Sequence, residues 1–200
     1  MVPPDELQWE GTPVTESDPP SETPPPWPHD DVLHAWWVKP HRLLAGEYPG
    51  ATTPEKAAAK VRLLVEAGVD TIVDLTTEHD GLTPYRDELQ AAAEHAGRRV
   101  RHCAHPIPDF GVLDHAGYDA ILARIHSELD AGRTVYVHCW GGKGRTGTVI
   151  GCFLAESGLS YDDVIARIAE LRSGTRKAAH CCPESAAQHD LLRARCTAGH

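Results

Sequence analysis

The sequence predicts an α/β fold with a mostly parallel central sheet flanked by helices. Three observations carry this. Short apolar runs of strand length alternate with helix-periodic segments from Arg42 to Glu156. A glycine-rich loop joins the last of those runs to a helix, and beyond it only helical patterns remain. Alternating strands and helices favour parallel pairing, because a strand that re-enters a sheet in the same direction needs a crossover, and the crossover is usually a helix.

The elements follow in order. Residues 1–30 are dense in proline and acid, including Pro24-Pro25-Pro26-Trp27-Pro28, and nearly free of aliphatic residues. Such a segment buries too little surface to offset its ordering entropy and reads as a disordered, partly polyproline II tail. Residues 31–200 form the domain. Val32–Val38 and Arg42–Gly46 read as two short strands turned by Lys39-Pro40, with Trp36 and Trp37 as core and edge packing. Thr53-Pro54-Glu55 supplies a cap, a proline at the first helical position and a first-turn acid for a helix that stops at Gly68. Val69–Leu75 is a buried-strand run, Pro84–Ala96 an alanine-rich helix, and Arg99–Cys103 a weaker strand. Asp114–Asp130 has helical spacing of Tyr118, Ile121, Leu122, Ile125 and Leu129, and Thr134–Val137 is the strand before the loop. Helices are expected over Gly144–Glu156, Ser160–Leu171 and Pro183–Arg195.

Composition narrows the function classes. The chain has 200 residues and a formal net charge of -10, which argues against nucleic-acid and anionic-membrane partners, since both require basic faces. Six cysteines, no apolar leader and no run of membrane-spanning length point to a cytoplasmic protein with reduced thiols and no membrane span. Thirteen histidines raise the question of a metal. The clusters His102-Cys103-Ala104-His105 and His180-Cys181-Cys182 lack paired CxxC or HExxH spacing, so no metal and no other cofactor is expected. The sequence is silent on oligomeric state.

The chemistry concentrates in His138-Cys139-Trp140-Gly141-Gly142-Lys143-Gly144-Arg145-Thr146-Gly147. A glycine-rich loop between a buried strand and a helix N-terminus aims several N–H groups at one point, where the helix dipole also favours an anion. Trp140, Gly141, Gly142, Lys143, Gly144 and Arg145 are therefore the phosphate-binding candidates, with the fork of Arg145 matching a phosphate edge. Cys139 is the residue in the loop able to attack, and its thiolate is favoured by that same surrounding. Thr146 and His138 flank the machinery as supports for the leaving thiolate. The leaving oxygen needs a proton, and Asp109, on the stiff loop His105-Pro106-Ile107-Pro108-Asp109-Phe110-Gly111, is the general-acid candidate. Asp114 is the runner-up but reads more simply as a helix N-cap. Cys103 and Cys152 are candidates for trapping an oxidised Cys139 as a disulfide.

His138-Cys139-x5-Arg145-Thr146-Gly147 resembles the signature of the cysteine-dependent protein tyrosine phosphatase superfamily, and Pro108-Asp109 resembles its general-acid loop. The resemblance spans residues 32–196 and, in a chain this short, is to a compact dual-specificity-like member. It implies the phosphatase-type three-layer sandwich and hydrolysis of a phosphorylated protein through a phosphocysteine, on phosphotyrosine and also phosphoserine or phosphothreonine. Two departures stand out. Ile107 occupies the position before Pro-Asp where the family often has Trp, and Glu184 in Pro183-Glu184-Ser185-x2-Gln188 stands where classical members have the first glutamine of a water-positioning pair. Gln188 reads equally well as a surface residue of a capped helix.

Other readings compete. Gly142-Lys143-Gly144-Arg145-Thr146-Gly147 is a literal GxGxxG, but a dinucleotide fold needs a further strand and an acidic ribose ligand where this chain has another helix. A nucleotide-hydrolysing P-loop fails because Gly144, not Ser or Thr, follows Lys143. A noncatalytic phosphate-binding module could dispense with one of the nucleophile, arginine and acid, all of which are present. A rhodanese-like sulfurtransferase resembles a loop one residue tighter. Lys143 in Gly-Lys-Gly-Arg-Thr-Gly also resembles phosphoinositide phosphatases, so a phosphoinositide or inositol phosphate substrate is the alternative to a phosphoprotein.

Overall fold

The computed structural model describes residues 24–197. Its five-stranded sheet has the order β1-β2-β5-β3-β4, with β1 (Ala35–Lys39), β2 (Leu43–Gly46), β3 (Val69–Asp74), β4 (Arg101–Ala104) and β5 (Thr134–His138). β1 and β2 are antiparallel, joined by the turn at Lys39-Pro40, and every other pair is parallel. This is the mostly parallel sheet expected of alternating strands and helices.

Six helices among the described residues cover the two faces: α1 (Pro54–Glu66), α2 (Arg86–His95), α3 (His115–Asp130), α4 (Gly144–Ala155), α5 (Tyr161–Arg172) and α6 (Ala186–Thr197). The alternation along β5 shows how the layers are made. Val135 and Val137 point into the core shared with α3 to α6, whereas Tyr136 points into the core shared with α1 and α2. Both faces are apolar because both are covered. α4 is buried on all sides from Gly144 to Phe153, which places the glycine-rich loop and the helix that follows it at the centre of the molecule.

Parallel registry sets the position of the site. Gly46 and Asp74 both align with His138, and Ala104 aligns with Asp74. The loops after β2, β3, β4 and β5 therefore leave the sheet at one end, where open α/β sheets bind ligands.

Three expectations are corrected. Packing reaches into the expected tail: Trp27 is buried, its indole N–H donates to the Leu33 carbonyl at 2.8 Å, and it packs edge-on to Trp37. One large ring supplies the apolar area that its proline-rich neighbourhood lacks. Residues 1–23 of the expected tail lie outside the described residues. Second, β1 starts at Ala35 because Val32 and Leu33 donate their N–H groups to the His29 carbonyl and form a turn. Third, the last two predicted helix starts that contain proline, at Pro84 and Pro183, move to Arg86 and Ala186. The freed residues face the active-site end instead. A 3-10 helix over Glu78–Asp80 was not anticipated.

Candidate active site

Cys139 follows β5 directly and is buried, 3% exposed. The loop beyond it is pinned from several sides. Tyr48 N–H donates to the Trp140 carbonyl at 2.9 Å, and Lys177 Nζ to the Gly141 carbonyl at 2.9 Å. Cys182 Sγ donates to the Lys143 carbonyl at 3.2 Å. Gly142 has φ +68, and a Cβ there would lie 2.4 Å from the carbonyl carbon of Gly46. Glycine is required at this position both by its conformation and by the close approach of β2.

Arg145, in the first turn of α4, is 2% exposed and fully engaged. Nη1 donates to Asp80 Oδ2 at 2.7 Å and to the Ile107 carbonyl at 3.2 Å, and Nη2 lies 3.1 Å from Asp109 Oδ1. Burial works against the charged guanidinium, but the Asp80 hydrogen bond and the negative charges of Cys139, Asp80 and Asp109 outweigh it and hold the pKa above its ordinary value. The sequence reading missed Asp80. Its local signal was Thr77-x-x-Asp80, a capping box that orders the 3-10 helix.

Asp109 is thus brought to Arg145, with its side chain 41% exposed toward the cleft. The acid loop turns at Phe110, which has φ +54, and closes with Gly111 N–H to the Pro108 carbonyl at 2.9 Å. Asp114 is an N-cap, accepting from Gly117 N–H at 2.8 Å at the start of α3. Gln188 is buried: it accepts from the N–H groups of Glu184 and Ser185 and donates to the Gly111 carbonyl at 3.4 Å. Together with Ser185 Oγ, which donates to the Phe110 carbonyl at 2.8 Å, it clasps the acid loop to the start of α6.

His138 is fully buried. Nε2 lies 2.7 Å from the Tyr85 hydroxyl and Nδ1 3.3 Å from the Cys139 carbonyl. A carbonyl only accepts, so Nδ1 carries the proton and Nε2 accepts from Tyr85. Burial pushes the His138 pKa down to about 4 in spite of the opposing Asp74 charge, which keeps this ring neutral near pH 7. His138 therefore holds the Cys139 main chain. The Thr146 hydroxyl, fully buried, donates to the Gly46 carbonyl at 3.5 Å.

The structure differs from expectation at Lys143 and Gly144. Lys143 Nζ lies 2.6 Å from Glu184 Oε1, and Gly144 N–H donates to Glu184 Oε2 at 2.9 Å. Two of the expected phosphate ligands are already occupied by a carboxylate. Cations crowding a helix N-terminus are unfavourable without an anion, and Glu184 supplies one. Behind the loop, Glu47 gathers Lys60, Arg176 and Lys177. Of the proposed redox partners, Cys152 is buried in α4 with its thiol pushed up to about 12 by burial, and Cys103 lies half-buried on β4. Cys182, which the sequence reading weighed only as a metal ligand, touches the loop at the Lys143 carbonyl. His102 of the first His/Cys cluster is committed to Asp74 Oδ2 at 3.0 Å.

Cys139, Arg145, Asp109 and Glu184 line a cleft of about 320 Å³, with the exposed rings of Trp140 and Phe110 at its mouth. The arrangement of a buried thiol, a fixed guanidinium at a helix N-terminus and a carboxyl group is equipped to bind a phosphoryl group and exchange its ester bond.

The model of the DSP-PTPase phosphatase domain of Swiss Army Knife proteins, PTP-SAK, matches residues 34–190. Among solved structures, Tk-PTP in its active form is 26% identical, with a TM-score of 0.59 over 82% of this chain and 96% of that one. Kinase associated phosphatase with its catalytic cysteine replaced by serine is 20% identical, with a TM-score of 0.62 over 78% and 86%. PTPMT1 in complex with PI(5)P is 20% identical, with a TM-score of 0.58 over 79% and 92%. The last two share the fold. With the family model covering most of the domain, the chain belongs to the PTP-SAK family and carries a phosphatase domain of the compact, dual-specificity-like cysteine-dependent tyrosine phosphatase type.

Proposed function

We propose that the protein hydrolyses phosphate monoesters of proteins, phosphotyrosine first and phosphoserine or phosphothreonine also, through a phosphocysteine intermediate. The observation that carries this reading is Arg145, fixed between Asp80 and Asp109 at the helix terminus beside Cys139. The Cys139 thiolate attacks phosphorus, the P–O ester bond breaks, and protonated Asp109 gives its proton to the leaving oxygen. Phosphate oxygens take the place of Asp109 on Nη2, while Asp80 keeps Nη1 in position. In the second step Asp109, now a carboxylate, takes a proton from water as the water attacks phosphorus. The S–P bond breaks, and the Thr146 hydroxyl turns from the Gly46 carbonyl, its weak 3.5 Å acceptor, to support the departing thiolate.

Substrate class follows from the mouth of the cleft. The rings of Trp140 and Phe110, both more than half exposed, form apolar walls for an aryl phosphate. Lys143 and Lys177, the cations that a polyphosphorylated inositol would need, are matched by Glu184 and Glu47. That pairing favours a singly phosphorylated protein over an inositol phosphate. The six free cysteines accord with a reducing, cytoplasmic setting, and no helix among the described residues is long and apolar enough to cross a membrane.

The test is single-turnover hydrolysis of an aryl phosphate in the presence of chelator. Cys139→Ser is expected to abolish turnover while retaining phosphate binding, Arg145→Lys to weaken both, and Asp109→Ala to lose most when the leaving group is poor. Full activity in Cys139→Ser would overturn the reading. A large preference for inositol phosphates in a substrate panel would reverse the order of substrates.

A further inference from the structure

A depression larger than the catalytic cleft lies elsewhere on the described residues. A groove of about 800 Å³ runs along the outer side of β4, between α2 and the strand. Its floor is apolar, from Leu89, Ala93 and Val100, and its walls carry five arginines, Arg86, Arg98, Arg99, Arg101 and Arg133, against two carboxylates, Asp70 and Glu94. In a chain with 19 basic and 29 acidic residues this is a local inversion of charge. The catalytic cleft, by contrast, has each of its cations matched by a carboxylate.

The pairing inside the groove sharpens the point. Arg98 is held by Asp70 at 2.8 Å, and Arg101 and Arg133 reach Glu128, which accepts both. Arg86 donates to His102 Nδ1 at 3.0 Å and has no carboxylate partner among the described residues, and Arg99, exposed, has no ion-pair partner among them either. Guanidinium groups left without carboxylates over an apolar floor fit an anionic ligand that also has a body to bury. β4 ends the sheet, so its outer side has no strand partner among the described residues. An edge strand of that kind offers backbone N–H and C=O groups to an extended chain.

We propose that this groove docks an acidic, extended segment of the protein substrate, added along the β4 edge with its carboxylates on Arg86 and Arg99. The proposal rests on the phosphoprotein reading above. The groove runs from the strand-start end of the sheet, at Arg99 and Arg133, up to Arg86 and His102. Because His102 bonds Asp74 beside His138 and β4 continues into the acid loop, that upper end lies nearest the active-site end. A phosphorylated residue and an acidic stretch some residues away in the same chain can then engage together, which raises effective concentration at the cleft.

The experiment uses the full chain. Fluorescence anisotropy follows an unphosphorylated Glu/Asp-rich peptide, the same peptide with Gln/Asn in place of the acids, and an oligouridine. The parent is expected to bind the acidic peptide about tenfold tighter than its amide counterpart, with the difference lost at high salt. Arg86→Glu combined with Arg99→Glu is expected to abolish the preference. With the acidic stretch attached to a phosphotyrosine, kcat/KM is expected to fall about tenfold in the double variant and severalfold in Arg99→Glu, whose p-nitrophenyl phosphate turnover stays at the parent value. Arg99→Glu alone, at an exposed and unpaired position, repeats the test without disturbing His102. Equal binding of acidic and amide peptides, undiminished binding by the variants, or tighter binding of oligouridine overturns the proposal. Loss of aryl phosphate turnover in the parent would instead overturn the phosphatase reading, and the unphosphorylated peptide still reports on the groove.

Discussion

Glu184 and Gly144 meet at the mouth of the anion cradle: one carboxylate oxygen accepts the Gly144 N–H at 2.9 Å while the other lies 2.6 Å from Lys143 Nζ. A carboxylate therefore takes donors that a phosphate oxygen would use. Glu184→Gln keeps the shape and removes the charge. The inhibition constants of inorganic phosphate and vanadate are expected to fall about threefold to tenfold, equivalent to ~0.7–1.4 kcal/mol. An unchanged constant would mean that Glu184 only caps the helix.

Asp80 keeps Arg145 in place from a 3-10 helix outside the signature. Asp80→Asn leaves the guanidinium a neutral acceptor where a carboxylate stood, a loss of about 1–2 kcal/mol. The expected result is kcat/KM for an aryl phosphate lower by roughly tenfold, with the loss in both phosphate affinity and turnover. Steady-state kinetics with p-nitrophenyl phosphate decides, and parent-like values would remove Asp80 from the machinery.

Gly142→Ala puts a methyl group against the Gly46 backbone at a residue with φ +68. The strain of that conformation costs about 1–2 kcal/mol before the clash is counted. The loop is expected to shift, with turnover reduced a hundredfold or more and the unfolding midpoint lower by several degrees, read by kinetics and thermal melting on the same preparation.

Stability is expected to fall on acidification. Burial pushes the pKa of His138, and that of His34, down to about 4 from 6.5. Between those values the unfolded chain binds protons that the folded chain refuses, so stability rises with pH through this window and is complete above about pH 6.5. The Asp74 carboxyl is held well below the usual range: burial opposes its ionisation, but the His102 hydrogen bond, His138 and Thr76 prevail, so its contribution is lost only in stronger acid. Melting midpoints should drop steadily from about pH 6.5 to about pH 4. His138→Gln should flatten that slope, and a parent midpoint independent of pH across the window would contradict the burial argument.

Groups that act through local order were legible in the sequence. Cys139, the glycines and Arg145 lie within one strand, loop and helix, so their spacing alone places them together at one helix N-terminus. Asp114 was separable from Asp109 for the same reason, because a cap is decided by the three residues that follow it. Element ends were less legible where prolines were read as helix starts, since Tyr85 and Glu184 are drawn to the site by partners distant in sequence.

By itself, then, the sequence determined the alternation that makes the sheet parallel, the glycine-rich loop between β5 and α4, and the loop that carries the candidate acid. Tertiary structure decided what surrounds them: that Asp80 clamps Arg145, that Glu184 and Glu47 match the cations of the cleft, that Trp27 belongs to the core, and that five arginines converge along β4. The physical reason is that each of these depends on contacts between segments far apart in the chain, from 10 residues for Trp27 and Trp37 to 130 for Glu47 and Lys177. Such contacts leave no periodicity or local spacing in the sequence to read, and are fixed only when parallel registry brings the loop ends together.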